Sequence, residues 1–524
     1  NPYFIPFMAI EAGKVNNSPL DYLMTAVFAH YDYKKLGKEY TEKLYGLLVS
    51  YINSDKSGFF EKIYIYALLA VSNLKKPELL RNFMGLLKNN NENLSKHYSA
   101  LVIMHACTTL FNVEIYDEYY NDVRNELAKV ACNTAFIRRS TNRKNSENKH
   151  IAVIVDQLLE LGHAPTATIL SYIRKLKEIC PDCTIRIFVE DTAVFSDSDL
   201  IRPRLFNVQP SRKFRRHHKE YIGESDTEVV YPEGGAALKE KTEFLINKIN
   251  EFSPGVILNY AELSLVSSVL YTDFPVLFMF SYGFCTPAFA DVYLHANRNE
   301  VVKAHARHKT LNIENVYNFI CGAELPVPQK NISRSDLGIG EDDFVLVTVG
   351  NRLFAELDEE YLDLICSFLK KAGNSRWIVV GEKVPWHMES KYGDMISANR
   401  IIRIKYEKDL PALYRICDAY ANPDRIGGGR SILMAMDRSM PVVLFNRPSD
   451  ILAHIGAENC YGSTCEEYLN DLERLYYDKE YRKAKGLLMK KMLEKLDLDY
   501  SVKELVKMFE IARINFEKRR LAGG

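Results

Sequence analysis

Tyr420-Ala-Asn-Pro-Asp-Arg-Ile-Gly-Gly-Gly-Arg-Ser-Ile-Leu-Met-Ala-Met-Asp-Arg-Ser-Met-Pro-Val-Val443 decides how this chain is read. A short apolar strand ends at Asn422. Three successive glycines, Gly427 to Gly429, leave a turn without Cβ atoms. A helix is expected from about Arg430 to Arg438, and Pro441-Val-Val-Leu-Phe445 starts the next strand. Backbone N–H groups at the start of such a helix form an anion site. Gly428 and Gly429 would let a ligand approach closely, while Arg430 and Ser431 add a charge and a hydroxyl. That set suits a diphosphate.

Working outward, strands and helices alternate on both sides of this segment. Phe344 to Val349, Trp377 to Val380, Ile401 to Ile404 and Ala419 to Ala421 are apolar runs of strand length. Further upstream, Ile151 to Val155, Thr184 to Val189, Val256 to Asn259 and Val276 to Phe280 repeat the pattern, with helices expected over Thr166 to Ile179 and Glu240 to Phe252. Alternation of this kind predicts parallel, doubly wound sheets. The Pro-rich stretch around Pro326 and Pro328 separates two such series. Residues 469–518 are expected to be helical with charged faces.

The first ~140 residues instead place apolar residues at three-to-four spacing, as in Pro77 to Leu87, Leu94 to Phe111 and Tyr116 to Cys132. Leu20 to Tyr33, Tyr40 to Ile52 and Phe59 to Ser72 have the same spacing. The expected architecture is therefore α/β: an all-helical domain (1–140), a first Rossmann-like domain (150–330), and a second one with C-terminal helices (331–524). Arg138 to Lys149 reads as a polar linker.

Composition narrows the function. The 524 residues carry 68 Lys+Arg and 68 Asp+Glu, so the basic excess of a dedicated nucleic-acid binder is missing. No apolar run approaches the ~20 residues of a spanning helix. Asn1 to Glu11 lacks the basic and long apolar regions of a secretory leader. Ten cysteines lie scattered, which is the usage of a reducing compartment, and a cytoplasmic location is expected. Cys180-Pro-Asp-Cys183 is half a zinc site with no second half, and no metal site is expected. Arg212-Lys-Phe-Arg-Arg-His-His-Lys219 is a local basic cluster, read as a solvated loop, with attraction of an acidic acceptor or anionic lipid as the other reading.

The motif Asn-Pro…Gly-Gly-Gly-x-Ser…Ala-Met…Pro-Val-Val resembles the donor segment of GT-B glycosyltransferases. It is most similar to the group holding O-GlcNAc transferase and the bacterial adhesin N-glycosyltransferases, in which a helical region also precedes the two Rossmann-like units. The resemblance spans about Lys149 to Lys490. It implies a hexosyl- or N-acetylhexosaminyltransferase using a nucleotide-diphosphate sugar, a UDP-sugar foremost, as co-substrate and no resident cofactor. Arg352, in Val349-Gly-Asn-Arg-Leu353, falls where a cation meets the donor diphosphate, and Lys383 falls in a loop near the base or phosphates.

Two Glu residues spaced eight apart mark many retaining members; Ile426 and Met434 stand at those positions here. Asp437, one turn beyond Met434, could substitute for the acid that grips the ribose. His163, in Leu161-Gly-His-Ala-Pro-Thr166, falls where a loop His can take a proton from an acceptor hydroxyl or amide, which favours inversion without a metal. Tyr282, Thr286 and Asp291 fall in a loop bordering the acceptor site. The resemblance further implies a protein or peptide acceptor and a bacterial setting, and leaves homo-oligomerisation open. Tyr31, Tyr33, Tyr40, Tyr116, Tyr119 and Tyr120 would give the helical region a peptide-contacting surface. The competing reading is a non-catalytic GT-B relic that partners an active glycosyltransferase; an epimerase is a third.

Overall fold

The computed structural model describes residues 62, 66, 77–89, 94–110, 115–134, 149–191, 210–223, 227–233, 236–279, 286–296, 298–299, 301–302, 313–351, 353–425, 428–446, 451 and 462–523. The expected helices Leu20 to Tyr33 and Tyr40 to Ile52, and with them Tyr31, Tyr33 and Tyr40, lie outside them, and of Phe59 to Ser72 only Lys62 and Tyr66 are described, both helical. The described chain forms two compact units, one of residues up to Phe319 together with Val502 onward, the other Ile320–Ser501.

In the first unit, helices α1 (Pro77–Lys88), α2 (Leu94–Leu110) and α3 (Tyr119–Thr134) precede a parallel sheet. Its strands are β1 (His150–Val155), β2 (Thr184–Val189), β3 (Glu228–Val230), β4 (Val256–Tyr260), β5 (Val276–Met279), β6 (Val292–His295) and β7 (Val316–Asn318). They lie in the order β3-β2-β1-β4-β5-β6-β7. Pairing runs from His150 opposite Thr184 to Val155 opposite Val189, and from Ile151 opposite Val256 to Val155 opposite Tyr260. Helices α4 (Ala164–Ile179), α5 (Arg215–Ile222), α6 (Leu238–Phe252) and α7 (Leu265–Leu270) supply the crossovers. Strands covered on both faces read as continuous apolar runs, which is why Ile151 to Val155 was legible. The order reverses between β1 and β4, and ligands of such sheets sit at the carboxyl ends beside that point.

Helices α1 to α3 are not a separate body. Leu79, Phe83, Tyr98, Tyr119 and Val123 share one hydrophobic core with Phe188, Ile257, Leu265 and Phe278. The Tyr98 hydroxyl donates to Leu263 O at 2.8 Å, and the Arg124 guanidinium lies 4.2 Å over the Phe289 ring. A boundary near residue 140 therefore does not mark a domain of its own. Tyr116 and Tyr119, expected on an exposed face, are buried and meet edge to face. Amphipathic spacing identified the helices, but not that this sheet would cover their Tyr-bearing side.

The second unit holds β8 (Phe344–Val349), α8 (Leu353–Glu356), α9 (Glu359–Lys371), β9 (Ser375–Val380), α10 (Trp386–Ser397) and β10 (Ile401–Ile404). Next come α11 (Leu410–Tyr414), β11 (Ala419–Ala421), α12 (Gly429–Asp437), β12 (Val442–Val443), α13 (Cys465–Tyr477) and α14 (Lys479–Met492). Its parallel sheet runs β10-β9-β8-β11-β12. Trp377 is fully buried, and its indole N–H donates to Thr348 Oγ1 at 2.9 Å, while Thr348 donates to Ala421 O at 2.6 Å. Three strands are thus cross-linked by side chains as well as by their ladder.

The last helix, α15 (Leu498–Gly523), starts in the second unit and ends in the first. At its start Ser501 Oγ accepts from Gly322 N at 2.9 Å. From Val502 on it belongs to the first unit, although the sequence reading assigned all of 331–524 to the second. Arg519 explains the reassignment: its guanidinium pairs with buried Asp291 at 2.8 Å and lies 3.6 Å over the Tyr271 ring.

Candidate donor and acceptor sites

The segment that opened the sequence reading folds as expected, with α12 beginning at Gly429. Gly428 has φ +85°, a left-handed conformation that glycine adopts without penalty. A Cβ there would lie 2.5 Å from the Arg425 guanidinium, and a Cβ on Gly350 would lie 2.6 Å from it. Gly381 is equally confined, since a Cβ would stand 2.6 Å from Gly350 O. Three loop ends therefore converge at the carboxyl edge of this sheet with no room for side chains.

Arg425 joins them. Its Nη1 pairs with Glu356 at 2.8 Å, Nε donates to Asn422 Oδ1 at 2.9 Å, and Nη2 donates to Val349 O at 2.9 Å and to Tyr420 Oη at 3.1 Å. The guanidinium is buried, and the Glu356 carboxylate holds it in the charged form against the opposing effect of burial. A buried charge persists only when paired and hydrogen-bonded in this way. The sequence reading did not single out Arg425; the available signal was its place between a strand end and a triple glycine.

The expected donor residues fall around this clamp. Ser431 Oγ donates to Gly428 O at 2.8 Å and lies 2.9 Å from Tyr420 Oη, so its hydroxyl braces the turn. Arg430 donates to Glu324 O at 3.2 Å. Lys383 is exposed in the loop after β9. Arg352 lies outside the described residues, between Gly350 and α8. Asp437 is the last residue of α12, about 12 Å along the helix axis from Gly429 at 1.5 Å per residue. Its carboxylate is ion-paired with Arg438. Asp409 caps α11 and accepts from Gln329 N and Lys330 N, both at 2.6 Å, which ties that stretch to the start of α11.

In the first unit His163 stands at the start of α4, on the carboxyl side of β1. Its Nδ1 lies 2.9 Å from Thr166 Oγ1, and that oxygen accepts from Leu159 N at 2.9 Å. Burial pulls the imidazole down to about 4, so it is neutral at pH 7. When the Thr166 hydroxyl proton points at Nδ1, the ring proton sits on Nε2, which is then a donor. When Nδ1 carries the proton toward Oγ1, Nε2 is bare and able to accept one.

Two further groups line this rim. Glu190 follows β2, buried, with Oε1 accepting from Ser264 Oγ at 2.8 Å and Val266 N at 2.9 Å. Burial pushes its carboxyl up to about 8. Asp191 accepts from Ser211 Oγ at 2.5 Å, and Ser211 Oγ accepts from Leu158 N at 2.8 Å. Two acids directly after an apolar strand were the available signal for both.

The expected acceptor residues are placed differently. Tyr282 lies outside the described residues. Thr286 is buried, and its Oγ1 accepts from Ala288 N at 3.2 Å. Asp291 does not open toward a ligand: its carboxylate accepts from Val276 N at 2.9 Å and pairs with Arg519. Burial raises its pKa and the Arg519 bond opposes this.

A seven-stranded and a five-stranded parallel sheet, each doubly wound and joined in tandem, define the GT-B architecture, and this chain has that fold. Among the solved structures it is similar to is a Thermobaculum terrenum O-GlcNAc transferase mutant, with TM-score 0.55 at 13% identity over 99% of this chain and 98% of that one. A glycosyltransferase from Rickettsia africae aligns over 70% of this chain and 99% of that one, with TM-score 0.49 and 12% identity. No family model and no curated protein matches the sequence. Among the described residues, no helix is long and apolar enough to cross a membrane, and no three His, Cys, Asp or Glu side chains are grouped to hold a metal ion.

Proposed function

We propose that this protein is a hexosyl- or N-acetylhexosaminyltransferase that uses a nucleotide-diphosphate sugar, foremost a UDP-sugar. The observation that carries the reading is the α12 start, a left-handed Gly428 turn packed on Arg425 and fastened through it to the β8 loop. A helix start offers backbone N–H groups and positive dipole to a diphosphate. Arg352 and Lys383 add cationic charge to neutralise the leaving group as it departs. No resident cofactor or metal is part of the proposal.

In this reading an acceptor oxygen or nitrogen attacks the anomeric carbon, the bond from that carbon to the diphosphate oxygen breaks, and configuration inverts. His163 Nε2 takes the acceptor proton in the tautomer whose Nδ1–H points at Thr166. Its basicity is low in the free protein, because burial disfavours the imidazolium. The acceptor is a protein or peptide side chain and the setting is the bacterial cytoplasm, where nucleotide sugars are made.

The test is a thermal scan with UDP, GDP, TDP and ADP, followed by mass spectrometry of nucleotide released from a panel of nucleotide sugars. A ligand at a hundredfold excess over its dissociation constant stabilises by about 2.7 kcal/mol. No shift with any nucleotide at millimolar concentration would remove the donor-site assignment. A second reading, a non-catalytic partner of an active glycosyltransferase, is favoured by Met434 at the usual acid position and by Asp437 being paired with Arg438. Nucleotide binding without any sugar release would select it.

A further inference from the structure

The basic cluster Arg212 to Lys219 is not a loop. Ser211–Phe214 is a 3-10 turn that runs into α5. Arg212, Lys213, Arg215, Arg216, His217 and Lys219 are all exposed, and Glu220, one residue beyond the cluster, pairs with Arg216 at 2.8 Å. Arg212, Arg215, Arg216 and Lys219 follow i, i+3, i+4, i+7 spacing, so they line one helical face. Like charges at that spacing repel by a few tenths of a kcal/mol per pair. A chain with equal numbers of acids and bases has concentrated cations where they cost local stability.

The segment is pinned to the rim that carries His163. Ser211 bridges Asp191 and Leu158 N. His218 is buried, with Nε2 donating to Leu159 O at 2.7 Å and Nδ1 accepting from Tyr231 Oη at 2.8 Å. Leu159 therefore gives its carbonyl to the basic helix and its N–H to Thr166, the partner of His163. One residue separates the anchoring of the two.

We propose that this stripe is the docking surface for an acidic polypeptide acceptor, guiding its acidic flanks so that the modified side chain reaches His163. The proposal rests on the glycosyltransferase reading above for the word acceptor. Its chemistry favours a peptide over a lipid surface, because an interfacial helix inserts a large apolar face. Here Phe214 and Tyr221 are half-buried and Ile222 is buried. It also lacks the exposed aromatic platform that stacks single-stranded bases. Asp156 and Glu160, exposed on the same rim, would turn away an acidic segment on the other side and so give the approach a direction.

The test uses the full chain and a variant in which Arg212, Lys213, Arg215, Arg216 and Lys219 are all changed to Gln. Lys239→Gln with Lys248→Gln, on α6, controls for bulk charge. The probe is a fluorescein-labelled ten-residue Glu peptide read by anisotropy, beside sedimentation with phosphatidylserine vesicles. Electrostatic guidance of this kind is worth roughly tenfold to a thousandfold. The native chain should bind the peptide at least about tenfold more tightly than the five-Gln variant, and the gap should close in 1 M salt, where the Debye length is about 3 Å. Sugar release from the donor alone should be equal in both. Equal peptide binding by native and variant would overturn the proposal, as would stripe-dependent binding to vesicles with none to the peptide. Patch-dependent peptide binding with no sugar release from either protein would sink the transferase reading and leave the docking surface standing.

Discussion

The carboxyl edges of the two sheets are built on opposite principles. In the five-stranded unit, side chains are removed and a buried cation ties bare backbone together: Gly350 and Gly428 close around Arg425, and Gly381 packs on the Gly350 carbonyl. In the seven-stranded unit, polar side chains hold the rim, Ser211 on Asp191, Ser264 on Glu190, His218 on Leu159. The outer face of that rim carries a stripe of exposed charge. A diphosphate is the same in every nucleotide sugar, and a rigid set of backbone donors suits it. Acceptors differ, and side chains on a pinned helix can vary without moving the backbone beneath them.

The sharpest way to break this contrast is Arg425→Met. Removing one partner of a buried pair leaves Glu356 uncompensated, at a cost of about 3–5 kcal/mol. Urea unfolding should show that loss, and UDP should no longer raise the melting temperature. Arg425→Lys should recover little, because a point charge cannot reach Glu356, Val349 and Asn422 together. Full nucleotide binding in Arg425→Met would mean that the donor edge does not depend on its clamp.

Changing His163 to Gln addresses the other rim. Turnover should fall by roughly 10²-fold or more if the ring moves the acceptor proton, while UDP binding stays unchanged. The same residue predicts a pH effect with a defined sign. Its folded pKa of about 4 lies below the unfolded value of about 6.5, so the unfolded chain takes up the proton first. The stability it contributes is complete above about pH 6.5 and is lost as pH falls from there toward 4. Glu190, raised to about 8, acts in the opposite sense. The isolating measurement is therefore native stability minus that of His163→Gln between pH 7 and 4. A difference that does not change with pH would remove the buried-imidazole account.

A smaller loss is expected from Gly428→Ala. Alanine at φ +85° with a Cβ against Arg425 should cost about 1–3 kcal/mol and weaken UDP more than it weakens the fold. Asp437→Asn should be smallest. Half-exposed ion pairs contribute about 0–1 kcal/mol, so stability should hardly move. A drop in UDP affinity much beyond that range would show that the carboxylate leaves Arg438 to hold a ribose.

Legibility followed distance along the chain. The strand at Phe344 to Val349 and the helix after the triple glycine were readable because apolar runs and missing Cβ atoms act over a few neighbouring residues. Strands β3, β6 and β7 escaped because Glu228, His295 and Asn318 interrupt their short apolar runs, whereas the equally short β5 and β11 are apolar throughout. Asp291 was read as a ligand contact because its partner Arg519 lies 228 residues away.

What the amino-acid order determined by itself was thus local: which apolar segments form strands of parallel sheets, where a helix must begin, and that the charge is balanced overall. Tertiary structure alone decided that Tyr116 and Tyr119 would be covered, that the last helix would return to the first unit, and that Arg425 and His218 would be buried. The physical reason is common to all of these. Whether a charged or aromatic side chain is buried depends on which distant surface or counter-charge folding brings to it, and the desolvation cost of a guanidinium is met only by partners such as Glu356 and Val349 that the linear order leaves about seventy residues away.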